Sequence, residues 1–376
     1  MKDVIAKFYD PTGKYLGYLD TLITSNFTKS INGGAGSCTV DLPYKFDSFD
    51  SFIDLNNRVD VWIYDAQAPS GVKIYSGFIF DLATEAADNE KITISLAGYI
   101  ATLERSIYET LESTPRYVFT VSPQEIANTF KSIIDSFITY NSGTTINYNS
   151  GSIQNTGKSR GITFNNSSYL DCVKSLAKIL NPNWYWYLDI DNTFYLQPFA
   201  TTPKHYFYME KDIIKINDTK SISTLNNEIL FWNGLPSTDA NYIAKRYSNA
   251  ASIAKYGRAT QLVNDNRYVH IASADDYANR TLGLLSEATR QITLDIVDDN
   301  YGLGYDIESI NPGDTFKILN SNINYNMMIV SSVNYNYSSV TITADDYKNY
   351  IERSTLELKK NLQASQYTQN APITYA

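Results

Sequence analysis

The chain has 376 residues, of which 43% are hydrophobic and 14% aromatic, so it is long enough for two or three domains with ordinary cores. With 31 basic and 40 acidic residues its net charge is −9, which argues against a protein that holds nucleic acid through the phosphates. The two cysteines, Cys38 and Cys172, cannot form a disulfide framework or a four-ligand zinc site, and we predict two small buried residues.

The sequence has no signal-peptide pattern at its N-terminus and no stretch that predicts a membrane span. Its first residues, MKDVIAKFYDPTGKYLGYLD, carry charges throughout, and no stretch of the chain approaches about 18 uninterrupted apolar residues. We therefore expect assembly in the cytoplasm and no stable membrane association.

Residues 1–106 have the pattern of successive β-strands. The segments VIAKFYD and YLGYLD flank a Pro-Thr-Gly turn, which predicts a hairpin, and the INGGAGS stretch at 31–37 predicts a loop. In RVDVWIYD, the apolar residues Val59, Val61 and Ile63 alternate with other residue types, the period of a half-buried strand. We predict a first β domain over 1–106.

Residues 107–205 predict an inserted α/β module. In VSPQEIANTFKSIIDSF, Ser122, Pro123 and Glu125 have the order of an N-cap, a first-turn proline and a capping-box glutamate, and apolar residues then recur at helical spacing. SSYLDCVKSLAKILN predicts a second helix, and NWYWYLDIDNTFYLQP predicts a hairpin that turns at Asp191.

Strands return over 206–350, where we predict a second β domain with a helix at about 273–290. RQITLDIV, NMMIVSSVNYNY and SSVTITADDY alternate as strands do. Residues 351–376 predict a C-terminal helix with a thin apolar stripe, followed by a loose polar tail.

The second β domain repeats patterns of the first. DLNNRVDVWIYD at 54–65 aligns with SINPGDTFKILN at 309–320, which places Val61 opposite Phe316. EKITISLAGYIATLE and SSVTITADDYKNYIE also align, with Thr93 opposite Thr341. Coincidence between amphipathic strands is one explanation, and a duplicated β domain split by the α/β module is the other.

The stretch Asn311-Pro312-Gly313-Asp314 predicts a structural turn of the second β domain. Pro312 presets the turn, Gly313 supplies a positive φ, and Asp314 hydrogen-bonds the backbone that enters the strand. We interpret it as the beginning of one strand and not as a binding motif.

Residues that carry catalysis are scarce. The histidines His205 and His270 have no metal-binding spacing, so we predict structural roles for both. The glycine-rich GAGSC is followed by a strand and not by a helix, which argues against a phosphate-binding loop. We therefore predict no enzyme activity, no cofactor and no metal. Two acidic pairs are predicted as turn-forming acids: Asp189 with Asp191, and Asp298 with Asp299.

The hairpin NWYWYLDIDNTFYL has two interpretations. Trp184, Tyr185, Trp186 and Tyr187 could be contact aromatics that stack on sugars, as in a carbohydrate-binding module. The favoured interpretation is that both tryptophans pack against the two helices, with the tyrosines on the other face at a subunit contact.

The order of these elements resembles the baseplate hub, or tail-tip hub, proteins of tailed bacteriophages and related contractile injection systems. Three stretches carry the resemblance: FTKSINGGAGSCTVDLP near the N-terminus, a helix and a strand followed by INPGDTFKIL, and IVSSVNYNYSSVTITADDY before the C-terminal helix. It covers most of the chain in order, but its motifs are patterns of strand and turn.

The resemblance implies a β-rich α+β chain with two tube-type β-barrels, over 1–106 and 206–350. It implies a homotrimer that forms a pseudo-six-fold ring in the virion tail, between the tail tube or distal tail protein and a central spike or fibre. The lumen would let DNA and the tape measure protein pass, and a net charge of −9 suits a channel that must not bind DNA. The alternative is a glycan-binding β protein, either a receptor-binding or an adhesin module. A lytic tail component is disfavoured by the lack of catalytic motifs.

Overall fold

A computed structural model shows the arrangement of most of the chain. The predicted C-terminal helix and tail at 351–376, His270 and Asp299 lie outside the residues that the structure describes. Those residues are 3–20, 24–42, 52–64, 70–85, 91–108, 118–141, 146–165, 167–177, 180, 183–223, 225–264, 271–298, 305–320, 327–336 and 339–346.

The chain forms two compact units. Unit 1 comprises Met1–Ile216 and Thr293–Ala344, and unit 2 comprises Asn217–Ile292 and Asp345–Ala376. The α/β module predicted at 107–205 lies within unit 1. The limits of the two units differ from the domain limits predicted from the sequence. The predicted β domains over 1–106 and 206–350 therefore stay a prediction.

The chain is β-rich, as predicted, with short helices between the strands. The strands of the first part are β1 (Asp3–Tyr9), β2 (Tyr15–Leu19), β3 (Thr24–Ser30), β4 (Gly33–Leu42), β5 (Arg58–Tyr64), β6 (Val72–Glu85) and β7 (Lys91–Gly98). The next elements are α1 (Ile100–Arg105), β8 (Val118–Glu125), α2 (Ile126–Tyr140), β9 (Ser159–Asn165), α3 (Tyr169–Ala177), β10 (Trp184–Leu188), β11 (Phe194–Pro198) and β12 (His205–Tyr208).

The remaining elements complete both units. They are β13 (Ile213–Ser221), β14 (Glu228–Trp232), β15 (Ala244–Ser248), α4 (Ala250–Tyr256), β16 (Thr260–Asn264), α5 (Ile271–Leu285), β17 (Thr289–Val297), β18 (Thr315–Leu319), β19 (Met328–Asn336) and β20 (Ser339–Asp346). No helix in the described ranges is long and apolar enough to cross a membrane.

One large sheet organises unit 1. Among the described strands its main path is β13-β17-β20-β19-β3-β4-β7-β6-β5-β1-β2, and β18 pairs with both β19 and β12. The antiparallel pairing of β3 with β19 joins the first part of the chain to the last, with Phe27 opposite Tyr335 and Lys29 opposite Val333. The rings of Phe27 and Tyr335 stack with centroids 4.8 Å apart. This pairing sets which side chains of the two strands share a face.

The β10–β11 hairpin joins the sheet through β4. Two residues of β10, Tyr187 and Leu188, pair in parallel with Gly33 and Gly34, so the INGGAGS stretch predicted as a loop belongs to β4 from Gly33 onward. A Cβ at Gly34 would lie 2.4 Å from the carbonyl oxygen of Leu188. Glycine is needed here because two backbones approach closely, which explains a glycine-rich run without a phosphate.

The first helix of the predicted α/β module begins later than its sequence pattern indicates. Ser122 and Pro123 lie in β8, at an irregularity of its pairing with β9, and α2 begins at Ile126. Glu125 is the N-cap, because its Oε2 accepts the N–H of Asn128 (3.3 Å). A proline has no N–H for the ladder, and the irregularity accommodates it. The predicted apolar stripe of α2 is confirmed as buried: Ile126, Phe130, Ile133, Ile134 and Phe137.

Unit 2 has a three-stranded sheet, ordered β15-β14-β16, and two helices, α4 and α5. The helix predicted at about 273–290 is α5, which ends at Leu285. It packs on the sheet through Ala274, Ala278 and Leu282, which share a core with Ile229 and Phe231.

One backbone turn occurs twice in unit 1, before β5 and before β18. In the first turn the N–H of Asn57 donates to the carbonyl oxygen of Asp54 (3.2 Å). In the second turn the N–H of Asp314 donates to the carbonyl oxygen of Asn311 (3.1 Å). Both are four-residue turns that lead directly into a strand.

The third residue of each turn has a positive φ and holds the turn to a neighbouring strand. Asn56 has φ 67° and Gly313 has φ 87°. The N–H of Asn56 donates to the carbonyl oxygen of Ile79 in β6 (2.9 Å). The N–H of Gly313 donates to the carbonyl oxygen of Val330 in β19 (2.8 Å). The N–H groups of Ile79 and Val330 donate back to the next turn residue, both at 2.9 Å. The two turns therefore share their hydrogen bonds as well as their shape.

The turn geometry places Asn56 opposite Gly313, whereas the sequence alignment placed Asn56 opposite Asn311. The equivalence thus moves by two residues. Asparagine is among the few residues besides glycine that adopt a positive φ readily, so the same backbone is built without a Pro-Gly pair.

A threonine–aspartate hydrogen bond also occurs twice. Thr93 Oγ1 in β7 donates to Asp41 Oδ1 in β4 (2.8 Å), and Thr341 Oγ1 in β20 donates to Asp295 Oδ1 in β17 (2.7 Å). β4 is the neighbour of β7, and β17 is the neighbour of β20. The two threonines matched in sequence thus make the same contact with the next strand.

Replacement of either threonine by valine should destabilise the protein to a similar degree. We expect Thr93→Val and Thr341→Val each to lower the free energy of unfolding by about 1–2 kcal/mol, since each leaves a carboxylate without its hydroxyl donor. Urea denaturation measures both values. Thr39→Val, at an exposed position of β4, is the matched control and should change little. A loss in only one of the two variants would contradict the expected equivalence.

Candidate functional site

One pocket of unit 1 brings together the two features that the sequence singled out. It has a volume of about 410 Å³ and is lined by residues of β3, β6, β10, β11 and β19 and of the segment before β18. Tyr185 and Tyr187 reach it from the aromatic hairpin. Asn311, Pro312 and Asp314 reach it from the predicted turn. No pattern in the sequence indicates that these two segments lie side by side.

The turn packs directly on Tyr185. A Cβ at Gly313 would lie 2.3 Å from the Cε2 and Cζ atoms of the Tyr185 ring. That ring stacks on Phe199 with centroids 4.7 Å apart, and its hydroxyl accepts a hydrogen bond from Gln197 Nε2 (2.5 Å). Burial raises the pKa of Tyr185 to about 12. Glycine is therefore needed at Gly313 for space as well as for φ.

A buried polar network holds the end of the turn. Asp314 Oδ2 accepts the N–H of Asn311 (2.9 Å) and lies 2.9 Å from His205 Nε2. Lys204 Nζ donates to both carboxylate oxygens (2.9 and 3.0 Å), and the hydroxyl of Tyr305 lies 2.8 Å from His205 Nδ1. The structural role predicted for His205 is confirmed, because both of its ring nitrogens have partners.

The four aromatic residues of the hairpin are not exposed. Trp186 is fully buried and stacks on Phe194 (5.7 Å), whose ring lies 5.8 Å from that of Phe130 in α2. Trp184 is half-buried, and Tyr185 and Tyr187 are buried at the wall of the pocket. Trp186 thus packs toward α2, while the two tyrosines face a pocket within the chain.

Lys29 is a buried cation at this pocket. Only 7% of the residue is exposed, and the contacts of its ammonium group with described residues comprise no hydrogen bond or ion pair, only the ring of Phe27, whose centroid lies 5.6 Å from Nζ. Burial lowers the pKa of Lys29, an effect that the nearby carboxylates of Asp189, Asp191 and Glu308 oppose. An ammonium group held in this way is energetically unfavourable and marks a candidate functional residue.

The acidic side chains of the pocket are mostly occupied. Asp191 forms an ion pair with Lys73, and Glu308 Oε1 accepts the hydroxyl of Tyr335 (2.9 Å). Asp189 accepts the N–H of Ile190 (2.5 Å), and burial raises the pKa of Asp189. Asp189 and Asp191 lie in the loop between β10 and β11, so the prediction of turn-forming acids is confirmed for this pair.

Neither Lys29 nor Lys73 stands out in the sequence. Each is a lysine within a strand, and only the pairing of strands shows which of them faces the interior. One signal was available for Lys29: it is two residues after Phe27 in β3, so both side chains share a face.

Other reactive groups do not form a second site in the described part of the chain. Cys38 and Cys172 are both buried, as predicted, and burial raises the pKa of the Cys172 thiol to about 12 and that of Cys38 further. The described residues contain no group of three or more His, Cys, Asp or Glu that could hold a metal ion.

Known structures resemble the fold over nearly its whole length. No protein-family model matches the sequence, and no curated protein matches it. The 43 kDa tail protein of prophage MuSo2 from Shewanella oneidensis is 11% identical, with 93% of this chain and 98% of that chain covered and a TM-score of 0.63. A tail protein from Neisseria meningitidis MC58 is 10% identical, with 94% and 99% covered and a TM-score of 0.59.

The prophage tail protein gp18 from Listeria monocytogenes EGD-e is 12% identical, with 97% of this chain and 99% of that chain covered and a TM-score of 0.51. At such identities the likeness concerns the fold alone. The resemblance to phage tail proteins inferred from the sequence is thereby confirmed for the fold. The chain has the β-rich fold of phage tail proteins.

Substitution of Gly313 tests the contact between the turn and the hairpin. Gly313→Ala should lower the free energy of unfolding by roughly 2–3 kcal/mol, because it adds displacement of the Tyr185 ring to backbone strain. Gly13→Ala is a matched control: Gly13 has φ 89°, close to the 87° of Gly313, but a Cβ there would meet nothing within 4 Å. It should cost about 1 kcal/mol. Equal losses in urea denaturation would show that the ring contact has no energetic importance.

Removal of the buried ammonium should stabilise the chain. Lys29→Met is expected to raise the free energy of unfolding by about 1–3 kcal/mol at neutral pH, because it replaces an unpaired buried charge by an apolar side chain of similar length. The folded pKa of Lys29 lies below its ordinary value, so the penalty is complete below the folded pKa and shrinks as the pH rises from there to the ordinary pKa of lysine.

The pH dependence distinguishes this effect from a general packing effect. The gain from Lys29→Met, measured by urea denaturation, should shrink from neutral to alkaline pH. Lys255→Met, at an exposed lysine of α4, should change little at either pH. A destabilised Lys29→Met variant would contradict the expectation.

Proposed function

We propose that this chain is a structural, non-enzymatic hub of a phage tail tip or baseplate, and that it acts as a homotrimer. Two things support the proposal. The chain has the fold of phage tail proteins over more than nine-tenths of its length, as the 93% coverage by the Shewanella oneidensis structure indicates. The observation that carries the finer assignment is the turn that occurs before β5 and again before β18.

The repeated features favour an internal duplication. The turn before β5 leads into the successive strands β5, β6 and β7, and the turn before β18 leads into β18, β19 and β20, with each strand next to the following one. The Thr93–Asp41 and Thr341–Asp295 bonds then join the last strand of each set to its next neighbour. Coincidence between amphipathic strands explains alternating residues, but not the same set of backbone hydrogen bonds. We infer two similar tube-type β-barrel domains.

Two similar domains in one chain suit a ring of three chains. Closed symmetric assemblies are the usual form of self-association, and three chains with two domains each present six similar units. Such a ring would join a six-fold tail tube to a three-fold spike or fibre. The two sets are similar but not identical, since β12 pairs with β18 in parallel whereas β1 pairs with β5 antiparallel.

The partners follow from this place in the tail. We propose the distal tail or tail tube protein on one side, a central spike or fibre protein on the other, and the tape measure protein in the lumen. DNA would pass through the lumen without specific binding, which the net charge of −9 favours because acidic walls do not hold a polyanion. The site of action would be the tail of the virion, after assembly in the host cytoplasm.

Native mass spectrometry of the purified full chain tests the assembly. The expected species has three times the mass of one chain, and class averages in the electron microscope should show a ring with six similar lobes around a lumen. A chain that stays monomeric at tens of micromolar and shows no ring would overturn the hub assignment and leave only the fold.

A further inference from the structure

We propose that the pocket between the β10–β11 hairpin and the Asn311–Asp314 turn binds a saccharide. The pocket is a part of the chain that a purely structural role does not explain, and the proposal does not rest on the hub assignment. It is carried by the unpaired ammonium of Lys29, the acceptors in the same pocket, the aromatic walls and the volume of the pocket.

Lys29 supplies the donor. Its ammonium carries protons for hydrogen bonds, and among the described residues none accepts from it. Buried cations are normally paired, so one that is left free at the wall of a pocket suits an acceptor that arrives with a ligand. The hydroxyl oxygens of a sugar are such acceptors.

Asp189 and Glu308 supply acceptors at the same pocket. Asp189 accepts the N–H of Ile190 and Glu308 accepts the hydroxyl of Tyr335, and a carboxylate can accept several hydrogen bonds at once. A sugar hydroxyl donates and accepts at once, so one ring can accept from Lys29 and donate to a carboxylate. A ligand that only accepts, such as a phosphate, would leave these acids opposed to it.

The other charges of the pocket are paired within the chain. Lys73 pairs with Asp191, and Lys204 pairs with Asp314. The pocket therefore offers neither a surplus of free cations for an anion nor a cluster of free acids for a cation. A neutral ligand that is rich in hydroxyl groups fits this balance best.

Aromatic rings form the remaining walls. Tyr185, Tyr187, Tyr195 and Tyr335 line the pocket together with Phe27, and the apolar C–H faces of a sugar ring pack against such rings. Tyr185 is held by its stacking on Phe199 and by the turn at Gly313. Because Tyr185 is held before a ligand arrives, little of its conformational freedom is lost on binding.

The size of the pocket agrees with this class of ligand. Its volume of about 410 Å³ is near the lower end of the range of roughly 300–1,000 Å³ for small-ligand sites. A monosaccharide or a disaccharide end is therefore favoured over a long chain. This pocket differs from a platform of exposed aromatic residues, because Tyr185, Tyr187 and Tyr335 are buried at its wall.

Saccharide binding is measured on the full chain by ligand-observed NMR and isothermal titration calorimetry. The probes are glucose, galactose, rhamnose, N-acetylglucosamine, maltose and lactose, and free glutamate is the charged comparison ligand. At least one should bind with a millimolar or tighter dissociation constant. Lys29→Met should weaken binding of that probe at least about tenfold, because a charged donor is lost. Asp189→Asn, which keeps the size of the side chain, should weaken it severalfold.

The controls separate binding from folding. Lys255→Met changes an exposed lysine of α4 in unit 2 and should leave binding unchanged. The urea denaturation of Lys29→Met shows whether the variant is as stable as the natural chain, and a loss of binding in a stable variant then reports the missing donor. The proposal is overturned by three results: no saturable binding of any probe, binding that Lys29→Met leaves unchanged, or binding of free glutamate in place of every sugar.

The native mass is read independently of these titrations. A trimer without saccharide binding would overturn the pocket assignment and leave the hub assignment. A monomer that binds a sugar through Lys29 would overturn the hub assignment and leave the pocket assignment.

Discussion

The pairing of β3 with β19 is the constraint on which unit 1 depends. It joins strands about 300 residues apart, and its register sets Phe27 opposite Tyr335 and Lys29 opposite Val333. A shift of one residue would turn Lys29 away from the pocket and break the stacking of the two rings. The same pairing extends one sheet from β4 on one side to β20 on the other. The register of the β3–β19 pairing therefore both keeps the sheet continuous and places Lys29 at the pocket.

Stability and binding are opposed at this pocket. A buried unpaired lysine costs free energy, whereas Asp314 in the same pocket is fully hydrogen-bonded to Lys204, His205 and the backbone. The hydrogen bonds of Asp314 hold the turn, and Gly313 of that turn packs against the ring of Tyr185. A chain that places such a rigid frame around a destabilising cation has the usual arrangement of a binding site on a stable scaffold. The two kinds of residue are adjacent because the scaffold must fix the site.

Local patterns were sufficient where one segment decides its own structure. The buried stripe of α2, the hairpin at Asp191 and the β-rich character were all predicted correctly, because periodicity and turn chemistry act over a few residues. Predictions failed where a distant partner intervened. Ser122 and Pro123 resembled a helix cap but lie in β8, since β9 offers a ladder there. The glycines at 33–34 resembled a loop but belong to β4, since the carbonyl of Leu188 needs the space.

The sequence by itself determined the alternating strands, the two threonines that make matching bonds, and the turn whose Gly313 has a positive φ. Tertiary structure alone decided that Asn56, and not the aligned Arg58, is the counterpart of Gly313, since a main-chain turn is defined by its φ and its hydrogen bonds rather than by residue type. It alone also decided that Lys29 is buried. Which face of a strand lies inward depends on its neighbours, and one neighbour of β3, the strand β19, is about 300 residues away in sequence.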